Sequence, residues 1–195
     1  MVICFSFDLK SGYHHVEIFQ PYQTFLSFSW DFQGETRYYI FTVLPFGLSA
    51  APYIFTKILR PLVAWWRAND IYIAVFLDDG WSIADGYNSP KIIASRVRSD
   101  IHLAGFITNS EKSVWEPTQI ITWLELAWNS TLGTISITPT RVQGIVNFVA
   151  IIGAQKSTIS ARQLSSFVRK VVYMSGYWKF TQNYYQTLSD DGCYC

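Results

Sequence analysis

An apolar, β-branched run that ends in two adjacent aspartates is the feature of this 195-residue chain that most restricts its fold. Ile71–Leu77 has the composition of a buried strand, and the polar link Asp78-Asp79-Gly80 follows it. The apolar pattern then resumes at Trp81–Ala84. Two short strands joined by a tight polar link predict a β-hairpin. The hairpin would therefore carry two carboxylates at its tip.

A second β-rich strand, Val2–Leu9, contains an aspartate near its end, Asp8. Carboxylates that close apolar strands are costly unless something compensates their charge. If both strands lie in one antiparallel sheet, the carboxylates converge, and oxygen ligands without His or Cys favour Mg²⁺ or Mn²⁺. Two such ions, about 3.5–4 Å apart, can activate a 3′-hydroxyl and stabilise leaving pyrophosphate. The alternative is that Asp78-Asp79-Gly80 is only a favourable turn.

Further strands and amphipathic helices follow the same pattern of turns and caps. We predict strands at Thr24–Trp30, Arg37–Val43, Ile120–Trp128 and Thr134–Ile137. We predict helices over about 49–68, with Ser49 as the N-cap, over about 89–103, and from Pro139 and Ser160. This order predicts an α+β fold in which two helices (49–68 and 89–103) pack on one face of an antiparallel sheet.

Charge is segregated along the chain, although the net charge is only +1. Residues 1–125 carry 9 basic and 12 acidic residues, whereas residues 126–189 carry 6 basic residues and no acidic one. The helix predicted from Ser160 would direct an apolar stripe to the core: Leu164, Phe167, Val168, Val171 and Val172. Its other side would present three cations to phosphates: Arg162, Arg169 and Lys170. The alternative is an ordinary solvated basic helix.

Composition excludes several classes of protein. Because 50% of the residues are hydrophobic, the chain can bury a core and is not disordered. Three cysteines without ligand spacing exclude a disulfide framework and a zinc site. Neither a signal-peptide pattern nor about 18 consecutive apolar residues occurs. We therefore expect an intracellular protein, in the cytoplasm or nucleus, without a membrane segment.

Five segments, in the same order along the chain, resemble the sequence motifs of reverse transcriptases. They are residues 5–14 (motif A), 44–55 (motif B, with its Leu-Pro-x-Gly turn), 76–79 (motif C, with Phe in place of the usual Tyr), 108–113 (motif D) and 123–126 (the primer grip). Each segment alone is weak, but the five in order identify a reverse transcriptase domain. The downstream segment 160–175 resembles the tyrosine-recombinase (DIRS-like) branch of retroelements, near the Ty3/gypsy type.

The resemblance implies a polymerase palm with a two-metal centre. Asp8, Asp78 and Asp79 would be the catalytic, metal-binding carboxylates, joined by the backbone carbonyl of Leu9. The cofactors would be two Mg²⁺ ions, with Mn²⁺ as an alternative. The substrates would be deoxynucleoside triphosphates and a primer annealed to an RNA or DNA template.

The resemblance also implies contacts with the incoming nucleotide. Tyr13 would pack under the sugar and exclude a 2′-hydroxyl. Phe46 and Gly47 would lie along the nucleotide and the template, although many retroviral enzymes have Gln in place of Phe46. Lys112 would face the triphosphate and neutralise or protonate the leaving pyrophosphate. These four residues form the predicted nucleotide-binding set.

The primer side differs from the usual pattern. Trp123 and Leu124 would support the primer backbone, but Glu125 stands where the primer grip usually has Gly. Few residues precede Asp8, so the fingers are expected to be largely absent. We predict a palm over residues 1–118, and a primer grip with a short helical thumb or connection region over residues 119–195.

Two functions therefore remain open. One is an RNA-directed DNA polymerase domain, which the retained aspartates, Tyr13 and Lys112 favour. The other is a catalytically inactive retroelement fragment that acts at most as a nucleic-acid-binding or scaffold domain, which the missing fingers and Glu125 favour.

Overall fold

The computed structural model describes residues 2–86, 89–154 and 160–172 and divides the chain into two compact units. The first unit ends at Trp123 and the second begins at Leu124. The first unit contains β1 (Val2–Asp8), a 3-10 turn (Gly12–His15), α1 (Gln20–Gln23), β2 (Ser27–Phe32), β3 (Glu35–Ile40), α2 (Ala51–Ala68), β4 (Tyr72–Phe76), β5 (Asp79–Asp85), α3 (Ser89–Leu103), β6 (Val114–Thr118) and β7 (Ile120–Trp123). The second contains β8 (Leu126–Asn129), β9 (Thr134–Ile137), α4 (Pro139–Ala154) and a helix α5 over 161–172.

A four-stranded antiparallel sheet, in the order β4-β5-β1-β6, forms the centre of the first unit. Because successive side chains of a strand point to opposite faces, Phe5 and Phe7 share one face of β1. They join a buried cluster that includes residues of both α2 and α3. The indole of Trp66 on α2 donates a 2.9 Å hydrogen bond to Asp100 on α3, which fixes the two helices side by side. The predicted α+β fold with two helices on one sheet face is confirmed.

The β4–β5 hairpin exists, but its turn lies one position earlier than predicted. Phe76 pairs with Asp79, so the two-residue turn is Leu77-Asp78, and Asp79 and Gly80 belong to β5. Leu77 has a left-handed backbone, with φ 54. Gly80 is therefore a strand residue and not a turn residue.

The strands predicted at Thr24–Trp30 and Arg37–Val43 lie at Ser27–Phe32 and Glu35–Ile40, and they pair as a second hairpin. Strands β2 and β3 pair from Ser27–Ile40 to Phe32–Glu35, so the link is the two-residue turn Gln33-Gly34. Both turn residues have positive φ, 53 and 83, which suits a tight hairpin whose strands twist right-handedly. Most large apolar side chains of this hairpin are solvent-exposed, among them Trp30 and Tyr38.

The start of α2 corrects one prediction. The N-cap is Ala50, without a side-chain cap, and not Ser49. A cap at Ser49 would need the N–H groups two or three residues on. Pro52 has no N–H, and the Ala51 N–H already donates to the Leu48 carbonyl at 2.9 Å. Ser49 is thus left without a backbone donor to cap.

Two strand predictions also change. The sequence pattern does not predict β6, because Glu116 and Pro117 interrupt its run of β-forming residues. β6 is an edge strand, and an edge strand tolerates proline. The single strand predicted over Ile120–Trp128 is divided into β7 and β8 by a turn at Leu124 and Glu125. These two residues have φ 49 and 61, so their backbones are left-handed.

The second unit begins with the β8–β9 hairpin and continues into helices. Its α5 contacts α4 through stacked rings, Phe148 and Phe167, whose centroids lie 5.7 Å apart. The stripe predicted to be buried on α5 is mostly exposed, including Leu164 and Val172, so that expectation was wrong. Within the described residues, no helix is both long enough and apolar enough to cross a membrane.

Candidate active site

The register of the sheet brings the predicted carboxylates together. Asp8, the last residue of β1, pairs directly with Asp79, the first residue of β5. Cross-strand pairs point to the same face of a sheet with neighbouring side chains. Asp78 lies in the adjoining turn, and its carbonyl accepts a 2.9 Å hydrogen bond from the Leu9 N–H. Asp8 points to the face opposite Phe7, away from α2 and α3. The face on which the carboxylates meet is therefore not the one that the helices cover.

Burial and the neighbouring carboxylates together disfavour the charged form of Asp79. Burial is the largest cause that raises the pKa of Asp79, to about 6, followed by the charges of Asp78 and Asp8. A side-chain hydrogen bond with Asp8 acts in the same direction, and the Lys112 charge opposes it. The site thus concentrates negative charge that a cation would neutralise.

A loop over residues 107–113 fixes the backbone of Asp8 from the other side. The Asn109 N–H donates to the Asp8 carbonyl at 2.8 Å, and the Asp8 N–H donates to Ser113 Oγ at 3.1 Å. The Ser113 N–H donates to the Asn109 carbonyl at 3.0 Å, which closes the loop. This arrangement carries Lys112 to the carboxylates, with its Nζ 3.6 Å from Asp8 Oδ2.

Two glycines allow the close packing beneath the carboxylates. A methyl group on Gly80 would overlap the ring of Phe7, its cross-strand partner. A Cβ on Gly12 would lie 2.7 Å from the Phe55 ring and 3.4 Å from the Asp78 Cβ. Both positions therefore require glycine for space, while the sequence indicated only a turn at Gly80.

The predicted nucleotide-binding aromatics lie next to this centre. The ring of Tyr13 contacts Phe46 and Phe55, with centroids 5.0 and 5.1 Å away. Burial and then the Asp78 charge raise the pKa of the Tyr13 hydroxyl, so it stays protonated at neutral pH. Phe46 is exposed, and Gly47 has φ 89 with open space around it. The backbone conformation of Gly47 thus favours glycine, whatever the space around it.

The remaining predicted site residues fall into two groups. Trp123 belongs to the first unit, where it stacks on Trp81 with centroids 5.7 Å apart. The others belong to the second unit: Leu124, Arg162, Arg169 and Lys170. In that unit Glu125, the residue that replaces the usual Gly, has the left-handed backbone that favours Gly and pairs with Arg141. The charge of Glu125 is thus balanced locally.

The residues that sequence reasoning missed are mainly Gly12, Phe55, Asn109 and Ser113. Asn109 and Ser113 belong to the motif D segment, in which the resemblance implies a role only for Lys112. An Asn and a Ser that flank a lysine are common loop residues, so their hydrogen bonds to a distant strand carry no local signal. The long separation along the chain, 105 residues between Asp8 and Ser113, explains the omission.

The donor chemistry suits a hard divalent cation. Asp8, Asp78 and Asp79 offer carboxylate oxygens, and Mg²⁺ typically uses one or two carboxylates together with substrate phosphates and water. Among residues 2–86, 89–154 and 160–172, no group of three His, Cys, Asp or Glu side chains is arranged to hold a metal ion on its own. The carboxylates therefore fit an open site that substrate oxygens complete, rather than a closed structural site.

Comparisons with known proteins give the family. A family model described as reverse transcriptase (RNA-dependent DNA polymerase) matches residues 2–126. Because this match covers more than half of the chain, the chain belongs to the reverse transcriptase family, whose members are nucleotidyltransferases. No curated protein matches the sequence significantly.

Solved structures of the foamy viral protease-reverse transcriptase share the fold. The complex with RNA/DNA hybrid is 20% identical, with a TM-score of 0.64 over 86% of this chain and 20% of that chain. The complex with dsDNA is 20% identical, with a TM-score of 0.68 over 88% of this chain and 32% of that chain. The present chain thus spans about a fifth to a third of the length of these structures.

Proposed function

We propose that this chain is the catalytic part of an RNA-directed DNA polymerase that adds deoxynucleotides to the 3′-end of a primer. The observation that carries the proposal is the cross-strand pairing of Asp8 with Asp79, beside Asp78, in a chain of the reverse transcriptase family. Burial and then the charges of Asp78 and Asp8 raise the pKa of Asp79 to about 6, a perturbation typical of functional carboxylates.

The proposal includes two Mg²⁺ ions, with Mn²⁺ as an alternative. Asp8, Asp78 and the Leu9 carbonyl would hold them, with Asp79 close to the primer terminus. The Lys10 N–H donates to the Ile107 carbonyl, and the Asp8 carbonyl accepts from the Asn109 N–H. Leu9 and Thr108 lie between these two hydrogen bonds as a non-hydrogen-bonded pair, so this bridge does not use the Leu9 carbonyl. When bound, the ions would lower the pKa of the primer 3′-hydroxyl and offset the charge of the departing pyrophosphate.

Protein side chains would position the nucleotide for this reaction. A bond forms between the primer 3′-oxygen and the α-phosphorus, and the bond from that phosphorus to pyrophosphate breaks. Tyr13, held by Phe46 and Phe55, would exclude a 2′-hydroxyl, since its ring cannot move away without disturbing both neighbours. Lys112 would neutralise or protonate the pyrophosphate.

Nucleic acid would be the partner of the same domain. The similar foamy viral structures are complexes with RNA/DNA hybrid and dsDNA, which supports a primer–template partner for this chain. Trp123 and Leu124 would support the primer, and three cations would bind phosphates: Arg162, Arg169 and Lys170. Duplex affinity should then fall as salt rises and fall further when the three cations are replaced by Ala. Affinity that is indifferent to both would contradict this basic face.

Three finer assignments belong to the same proposal. The division into a palm over residues 1–118 and a primer-grip and thumb or connection region over residues 119–195 is one. An intracellular setting is another, and a DIRS-like or Ty3/gypsy-related origin is the third. The segment that suggests this origin, 160–175, lies partly outside the described residues.

A catalytically inactive fragment that only binds nucleic acid is the second candidate. The observation that favours it is Glu125, which places a carboxylate where the primer grip usually has Gly. It predicts duplex binding without nucleotide incorporation.

Primer extension separates the two candidates. The full chain is incubated with oligo(dT) on poly(rA), dTTP and Mg²⁺, and incorporation is compared with that of the Asp78→Asn variant. The matched control is Asp70→Asn, which removes the same charge from an exposed position with φ 59, a backbone that Asn tolerates. Incorporation that is lost only in Asp78→Asn supports the polymerase. No incorporation by the wild type, or none of it dependent on Asp78, contradicts the catalytic proposal for this chain.

A further inference from the structure

Lys112 forms an ion pair with a predicted metal ligand. Its Nζ lies 3.6 Å from Asp8 Oδ2. Its positive charge also acts to lower the pKa of Asp79, against the larger effects that raise it. The two partners differ in environment, since the Asp8 side chain is 13% exposed and that of Lys112 is 69% exposed. Asp8 therefore stays in place, while the ammonium group can leave through solvent.

The backbone beneath Lys112 is held, so only its side chain is free to change position. Residues Asn109 and Ser113, on either side of Lys112, both hydrogen-bond to the backbone of Asp8. The Glu111 N–H donates to Asn109 Oδ1 at 3.1 Å, which stabilises the turn that precedes Lys112. The backbone of Lys112 therefore stays close enough for its side chain to contact the carboxylates.

We propose that Lys112 is the counterion of Asp8 in the metal-free protein, and that a divalent cation must displace its ammonium group from Asp8 before the site can be used. The displaced ammonium group then becomes available to an anionic group of the substrate. This inference rests on the proposed function, because it takes Asp8 to be a metal ligand.

The electrostatics of the pair support a displaceable lysine. An ion pair with one mostly exposed partner contributes little to stability, so a doubly charged cation can replace it. While the ammonium group remains close by, its charge repels that cation. Lys112 therefore weakens the first metal-binding event and aids the later contact with the anionic substrate. Removing it should affect these two steps in opposite directions.

The test measures binding of Mn²⁺ alone to the full chain, without nucleotide, from the electron paramagnetic resonance signal of free Mn²⁺. Lys112→Met should bind Mn²⁺ about three- to tenfold more tightly than the wild type at low ionic strength, because the competing charge is gone. Lys112→Arg keeps the charge and should remain within about twofold of the wild type. Lys10→Met is the matched control, because it removes the same charge two residues from Asp8 without changing the Lys112 pair.

Two further readings make the result specific. The gain in Lys112→Met should shrink when salt is raised, because added ions screen the repulsion. The same variant should bind dTTP with Mn²⁺ and primer–template more weakly than the wild type. Equal or weaker Mn²⁺ binding by Lys112→Met, or an equal gain in Lys10→Met, would overturn the role of Lys112.

Failure of the proposed function has a different signature. If wild type and Asp8→Asn bind Mn²⁺ equally, Asp8 is not a metal ligand, and both proposals are overturned. If Asp8→Asn loses binding but Lys112→Met gains none, the metal site stands and only the counterion role of Lys112 is wrong.

Discussion

Replacing Asp79 by Asn should stabilise the metal-free protein while abolishing its proposed activity. The folded structure raises the pKa of Asp79 from 3.8 to about 6, mainly through burial and then through the charges of Asp78 and Asp8. At about 1.4 kcal/mol per pKa unit this shift corresponds to roughly 3 kcal/mol, and partial solvent contact reduces it to about 1–2 kcal/mol. Asn has nearly the same shape without the charge, so the variant avoids this cost.

The sign of the pH dependence follows from linkage. Below about pH 3.8, Asp79 is protonated in both the folded and the unfolded state, and the variant gains little. As pH rises toward 6, the unfolded state releases its proton first, so the wild type loses stability. Above about pH 7 the loss is complete, and the Asn variant should be more stable by the full 1–2 kcal/mol.

The assay is urea unfolding of the full chain, followed by tryptophan fluorescence at pH 4.5 and pH 7.5. Asp70→Asn serves as the control and should change stability by less than about 0.5 kcal/mol at either pH. Added Mg²⁺ should stabilise the wild type more than Asp79→Asn and so narrow the gap at pH 7.5. A variant that is no more stable than the wild type at pH 7.5, or a gap independent of pH, would contradict the convergence of the three carboxylates.

Two other substitutions test the packing around the site. Gly80→Ala places a methyl group against the Phe7 ring and should lower the free energy of unfolding in urea by about 2–3 kcal/mol. The control Gly144→Ala, on α4 with open space around it, should be neutral or stabilising. Equal effects of the two variants would refute the close contact between Gly80 and Phe7. Ser113→Ala removes the acceptor of the Asp8 N–H and should cost about 1–3 kcal/mol and weaken Mn²⁺ binding. The exposed Ser110→Ala should do neither, and unchanged Mn²⁺ binding in Ser113→Ala would show that the loop does not position Asp8.

Much of the fold could be predicted from local patterns. The hairpin around Asp78, the strand that ends at Asp8 and the helix that starts at Ser89 are each encoded by short apolar runs and adjacent turn or cap residues. Errors arose where a pattern was ambiguous by one or two residues. Ser49 resembles a helix cap, but the missing N–H of Pro52 moves the cap to Ala50. Whether a residue such as Ser49 can cap a helix depends on which backbone N–H groups nearby are present and still unbonded.

The site was predictable in its residue types but not in its pairing. The order of the segments placed Asp8 and the Asp78 hairpin in one site, but only the strand register shows that Asp79, not Asp78, lies opposite Asp8. A shift of one residue in a β-ladder reverses every side chain, and local sequence does not determine that register. The hydrogen bond between Ser113 and Asp8 joins residues that are 105 positions apart along the chain. Local sequence therefore could not predict it.

The most direct test of the account is the position of bound metal. Crystals of the chain with primer–template, dTTP and Mn²⁺ can be measured at the manganese absorption edge, where the anomalous signal identifies the ion. The account predicts peaks within coordination distance of carboxylate oxygens of Asp8 and Asp78, next to the bound triphosphate. Peaks elsewhere, or none at these aspartates while the nucleotide is bound, would contradict a two-metal polymerase centre at the ends of β1 and β4.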